Sequence, residues 1–167
     1  MTGSFPGANI ALLSVCKTMD ITPIIISSVG SSSWGANLKD FNWPKIEEYL
    51  YKNKLIDFKS VAYSIGGSND NGDNLTDKGI EIIERSIPDD VIFVNEPTLT
   101  ENIEIKISIF ESYSSNYSLY VNIGGGSSSL GGGMEKDTLK VGLLSYLDVE
   151  DITSIEFKKS IAYSFLN

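Results

Sequence analysis

The chain has 167 residues, a net charge of −9, one cysteine and no histidine. That length suits one domain over 1–167 with its own core, and the acidity excludes the basic stripe of a nucleic-acid binder and attraction to an anionic membrane surface. Without histidine, Ser-His-Asp and Cys-His catalysis and imidazole-bound zinc are excluded, and one cysteine allows neither an internal disulfide nor a four-cysteine site.

Acid–base chemistry therefore falls to Asp, Glu, Lys, Tyr or water. No apolar run reaches the roughly 18 residues of a membrane span. Met1–Ser4 has neither the basic nor the long apolar region of a signal peptide. The chain as it stands is expected to be soluble, unanchored and cytoplasmic.

In chain order, residues 2–7 (TGSFPG) form a turn leading into a helix over 8–19, with Ile10, Leu12, Leu13, Val15, Cys16 and Met19 on one face and Pro6 suited to its start. Cys16 reads as an inert core thiol, and Tyr49, Tyr51 and Tyr63 as packing residues. Residues 23–29 (PIIISSV) read as a buried parallel strand. A helix follows over 41–52, with Asn42 as its cap. Residues 60–65 form a second strand, Thr76 caps a helix carrying Ile80, Ile82, Ile83 and Ile87, and 91–94 form a third strand.

Residues 98–113 fit two patterns. Ile103, Ile105, Ile107 and Ile109 alternate as in a strand, but Thr98 to Glu101 fits a capping box and Ile103, Ile107 and Phe110 share a helical face. The length favours the helix. Residues 117–123 (YSLYVNI) are expected to be the next strand, 140–147 another, and 152–162 a short helix or strand. Such alternation predicts an α/β fold: a three-layer, Rossmann-like, doubly wound and mostly parallel sheet.

Ligands of open α/β sheets bind outside the carboxyl ends of the strands, and four unusual turns are predicted at that edge. The first carries Ser4 and would offer N–H groups to an anion. The second, GSSSWGAN, carries Ser31, Ser32, Ser33, Trp34 for stacking and Asn37 for orientation. The third, GGSNDNGDN, holds Asp70 and Asp73, carboxylates suited to a divalent metal such as magnesium or calcium. The fourth carries Asn122 with Gly124, Gly125 and Gly126, where a ligand can approach the backbone closely. The plainer alternative is a capped or solvated loop for the first three turns and a flexible linker for the fourth. Asp70 is the first choice of catalytic acid, with Ser32 as an accompanying nucleophile.

Taken together, TGSFPGANIALLSVC, PIIISSVGSSSWGAN with the following DFNW, SVAYSIGGSNDNG and YVNIGGGSSSLGG resemble the poly-γ-glutamate system protein family. The likeness runs from about Thr2 to Gly132. It implies a setting in bacterial capsule or polymer synthesis and export, a membrane-associated system, and brings no catalytic residues. Members of that family are longer, with an anchor and a strand before the TGSFP-like turn, so Met1 reads as standing just after a missing first strand.

The expected function is an accessory protein that binds an anionic small ligand: a glutamyl chain end, a phosphate or a nucleotide. Repulsion from the −9 charge opposes a long polyanion. The alternatives are a hydrolase or transferase using Asp70 with a loop serine or a divalent metal, and an inactive shortened fragment. An unpaired sheet edge would favour homo-oligomers.

Overall fold

The computed structural model describes residues 1–30, 34–124, 126–132, 142–145 and 154–165. Helix α1 spans Pro6–Thr18, with proline in its first turn where a missing N–H costs nothing. Strand β1 (Ile26–Ser28) is followed by a small antiparallel pair, β2 (Asn37–Leu38) and β3 (Phe41–Asn42), and by α2 (Trp43–Lys52). Then come β4 (Ala62–Ser64), α3 (Asp77–Glu84), β5 (Ile92–Val94), α4 (Leu99–Tyr113) and three short helices, α5 (Ser127–Leu130), α6 (Ile155–Lys158) and α7 (Ile161–Ser164).

Three strands form one parallel sheet in the order β1-β4-β5, with Ile26 opposite Ala62 and Ala62 opposite Ile92. Residues 1–3 run alongside the free edge of β1: Thr2 bridges Ser28 in parallel, and the Ser28 and Gly3 amides donate to Met1 O and Ser28 O at 3.0 and 2.9 Å.

Side chains of a strand alternate between faces, and two apolar clusters divide accordingly. Ile26, Ala62 and Val94 pack with Ile103, Ile109 and Phe110 of α4 and Ile161 of α7. Ile25, Val29 and Tyr63 pack with Leu13 of α1 and Trp43 of α2, flanked by Ile83 of α3. The molecule is a mixed α/β structure with helices on both faces of a three-stranded parallel sheet.

The helix ends follow the side chains expected of them. Asn42 accepts from the Lys45 amide, Thr76 from the Gly79 amide, and Thr98 with Glu101 closes a reciprocal box at the start of α4. Residues 98–113 are thus helical, as the cap and the length indicated.

Residues 117–123 form no strand, contrary to expectation. Tyr117 and Tyr120 turn inward onto Phe110 at centroid distances of 6.0 and 6.3 Å, while Leu119 and Val121 are exposed. Inward positions three apart break the period of two that a pleated strand requires. Of the strand expected over 140–147, residues 142–145 are described and form none, while 140, 141, 146 and 147 lie outside the described residues; Ser154–Ser164 carries the helices α6 and α7. Among the described residues no helix is long and apolar enough to cross a membrane.

Candidate functional site

Three of the predicted turns leave the carboxyl ends of the strand layer; backbone contacts draw these three together, and the fourth packs against the side chain of Thr2. The turn at 2–5 lies in the middle. The Ala36 amide donates to Gly3 O at 2.8 Å, and Gly35, at φ +99°, packs so closely that a methyl group there would lie 2.5 Å from Ser4 O. On the other flank, a methyl group on Gly124 would lie 2.5 Å from Thr2 Cγ2. The turn after β4 meets the turn after β1 through the Gly30 amide, which donates to Ile65 O at 2.7 Å. Asn9, fully buried at the start of α1, donates from Nδ2 to Thr2 O at 2.9 Å and so ties the central turn to its helix.

Beneath these turns lies a cluster that spans four segments. Lys106 of α4 is 3% exposed and its ammonium donates to Ser64 Oγ at 2.9 Å, to Ser128 Oγ at 3.2 Å and to the Asp70 carboxylate. A lysine has three protons to donate, and these partners use all of them. Ser64 Oγ donates to Asp70 Oδ1 at 2.8 Å, and Ser28 Oγ lies 2.9 Å from Ser64 Oγ and 3.2 Å from Asp70 Oδ1. Because the one Ser64 proton goes to Asp70, Ser28 is the donor wherever it bonds Ser64. Ser28 is half-buried, whereas Ser64, Asp70 and Ser128 are buried.

Burial pushes the Lys106 pKa below that of an ordinary lysine, because an ammonium is costly to desolvate. Asp70 opposes that shift by its charge and its hydrogen bond. Sheet geometry explains why these residues meet. Ser28 and Ser64 lie in register at the last paired position of β1 and β4 and share the face that α4 covers. Asp70 reaches back from its turn at φ +63°. Asn102, one turn before Lys106, accepts from the Glu96 amide at 2.9 Å and donates to Asn69 O, fixing α4 against two loops.

On the opposite face a second polar network is closed. Trp43 Nε1 donates to Ser27 Oγ at 3.1 Å, Ser27 pairs with Ser60 at 2.7 Å, and Ser60 Oγ donates to Glu47 Oε1 at 2.8 Å. Glu47, with no solvent exposure, also accepts from the Ser60 amide and the Tyr63 hydroxyl. Burial and the nearby Glu47 carboxylate drive the Tyr63 pKa far above that of a free phenol. This network has no opening to solvent in its donors and acceptors, and it braces the core.

Of the predicted site residues, Asp70 lies at the centre of the buried cluster. Asp73 does not join it: its exposed carboxylate accepts from Asn69. Both Asp70 oxygens are already engaged, and among the described residues no group of three or more acidic or cysteine side chains is arranged to hold a metal. Trp34 is 84% exposed beside the central turn. Ser4 is half-buried, Asn37 is exposed, and Asn122 folds its amide onto Gly124 O at 2.6 Å. Gly126 starts α5, which carries Ser128. Ser31, Ser32, Ser33 and Gly125 lie outside the described residues.

Lys106, Ser28, Ser64, Ser128 and Asn102 were not singled out from the sequence. A signal for two of them existed: Asn102 and Lys106 fall on the same helical arc as Ile103, Ile109 and Phe110, where a polar residue needs a buried partner.

A shallow hollow of about 620 Å³ lies at the other end of the strands, between Lys59, Asp89, Asp90, Ile92 and Tyr113. Its aspartates are exposed, and exposed charges at a surface hollow need no partner to explain them. Comparison of the chain with known protein families, with curated proteins and with solved structures gives no match.

Proposed function

We propose that this chain is a small-ligand-binding protein of a bacterial poly-γ-glutamate system, taking an anionic glutamyl group at the carboxyl edge of a Rossmann-like, doubly wound sheet. One observation carries the reading: four Ser/Gly/Asn-rich turns, far apart in sequence, contact one another above a buried Lys106–Asp70 pair. A polar, close-packed rim over a desolvated charge pair is the kind of place where ligands are bound and perturbed groups are put to use. The motif resemblance supplies the glutamyl class, and the net charge of −9 favours a short chain end over a long polyanion.

In this reading backbone N–H groups of the turn at 2–5 and of Gly124 and Gly126 receive the carboxylate, Asn37 and Asn122 orient it, and Trp34 shields it from water. The test is a thermal-shift series with glutamate, short γ-glutamyl peptides, inorganic phosphate, nucleotides, magnesium and calcium. Glutamyl peptides should stabilise the protein by about 2.7 kcal/mol at a hundredfold excess over Kd, and Asn122→Ala should weaken the effect. A flat response to every glutamyl compound would end the proposal; a response to phosphate or nucleotides alone would keep the site and change the ligand.

A further inference from the structure

We propose that Ser28 is an acyl-accepting nucleophile, activated through Ser64 by Lys106, so that the site cleaves or transfers an amide-linked acyl group. The inference rests on the ligand-binding reading for the identity of the acyl group, a γ-glutamyl amide, and on the structure alone for the chemistry. Ser28 is the half-buried member of the cluster, at the end of β1 beneath the converging turns. Behind it the order is fixed: Ser28 Oγ to Ser64 Oγ, 2.9 Å, and Ser64 Oγ to Lys106 Nζ, 2.9 Å. Gly66, at φ +88°, packs beside it: a methyl group there would lie 3.4 Å from Ser28 Cβ.

A serine hydroxyl is a weak nucleophile until a base takes its proton. Lys106 in its amine form is that base. As an amine Nζ no longer donates to Ser64 but offers it a lone pair, so the Ser64 hydroxyl turns from Asp70 to Nζ. Ser28 Oγ then attacks the carbonyl carbon while its proton moves to Ser64 Oγ and the Ser64 proton moves to Lys106 Nζ. Asp70, already in contact with Nζ, stabilises the ammonium as it forms. Collapse of the tetrahedral adduct breaks the C–N bond, and the leaving amine recovers the proton through Ser64. Water, or an acceptor amine, then attacks the acyl-Ser28 ester with the same relay working as base. Ser28 and Ser64 touch the reacting atoms. Asp70 is a positioning residue, and Ser128 holds Nζ from the α5 side.

The titratable groups facing Lys106 are Asp70, on the turn after β4, and the amino group of Met1 beside β1, which burial and then Lys106 bring down to about 5 and which is uncharged above that pH. The amine form of Lys106 is therefore populated from a lower pH than in a free lysine, and the rate should climb with pH to a plateau.

The experiment uses a fluorophosphonate probe, with mass spectrometry of the adduct, and hydrolysis of γ-glutamyl-p-nitroanilide. The expected result is a single adduct on Ser28, absent in Ser28→Ala, and labelling at least about 100-fold slower in Ser64→Ala and Lys106→Arg. Lys106→Arg should also lose the rise with pH, which a merely structural lysine would not control; if that variant does not fold, the pH profile of the unaltered protein decides. No adduct on folded protein, an adduct on another residue, or a pH-independent rate overturns the proposal. Thermal shift by γ-glutamyl peptides in the same samples separates the two readings: stabilisation without acylation leaves binding and removes catalysis, whereas acylation that glutamyl peptides do not slow leaves catalysis and removes the glutamyl ligand.

Discussion

Lys106 and Asp70 are 3% and 4% exposed as side chains, and that burial makes each dependent on the other. Removing one partner strands the other charge in the protein interior, which costs ~3–5 kcal/mol, whereas replacing both by apolar groups is far less harmful. Lys106→Met and Asp70→Leu should each lower stability by that order in urea unfolding, and the double variant Lys106→Met with Asp70→Leu should lose less than the two single losses added together. Additive losses would mean that the pair is not coupled. Tyr63→Phe tests the other face. It withdraws one donor from the buried Glu47 carboxylate while keeping the ring, so a loss of ~1–3 kcal/mol is expected. A neutral result would show that water or another group satisfies Glu47.

Helix α4 is the element on which the cluster depends. Its start is held by Thr98 and Glu101, its first turns by Asn102, and its apolar residues by the sheet. Thr98→Ala removes the cap and should cost ~1 kcal/mol, read as a lower midpoint with an unchanged urea slope. The turns are more demanding. Gly35 sits at φ +99° with Ser4 O and Gly3 O crowding the position of any side chain. Gly35→Ala should therefore destabilise by more than ~1 kcal/mol, although the residue is exposed and touches no apolar core; a tolerated alanine would mean that the central turn is not fixed by this contact. Strand identity behaved differently from helix identity. Periodicity and caps are local, so α1, α2, α3 and α4 were legible from their own residues. Residues 117–123 have strand-like composition, but Phe110 and Phe165 draw in Tyr117 and Tyr120, and that pull comes from elsewhere in the chain.

The molecule as a whole should report the buried lysine through pH. The folded-state pKa of Lys106 lies below 10.5, the value of the free group. Between the two values the unfolded chain holds a proton that the folded protein has released, so stability attributable to Lys106 rises with pH across that window. Below the folded pKa both states are protonated, and the cost of burying the ammonium is present in full. The difference in unfolding free energy between the unaltered protein and Lys106→Met should consequently change with pH in this sense; a pH-independent difference would place the Lys106 pKa at its ordinary value. By itself the sequence determined the mixed α/β character, the helix starts at Pro6, Asn42, Thr76 and Thr98 and the polar turns, because each is written in neighbouring residues. Only the tertiary structure decided which strands pair, that Ser28 and Ser64 come into register, and that Lys106 is the partner of Asp70. Those two are 36 residues apart in the chain, and no local pattern encodes a meeting that exists only when a helix folds back across a sheet.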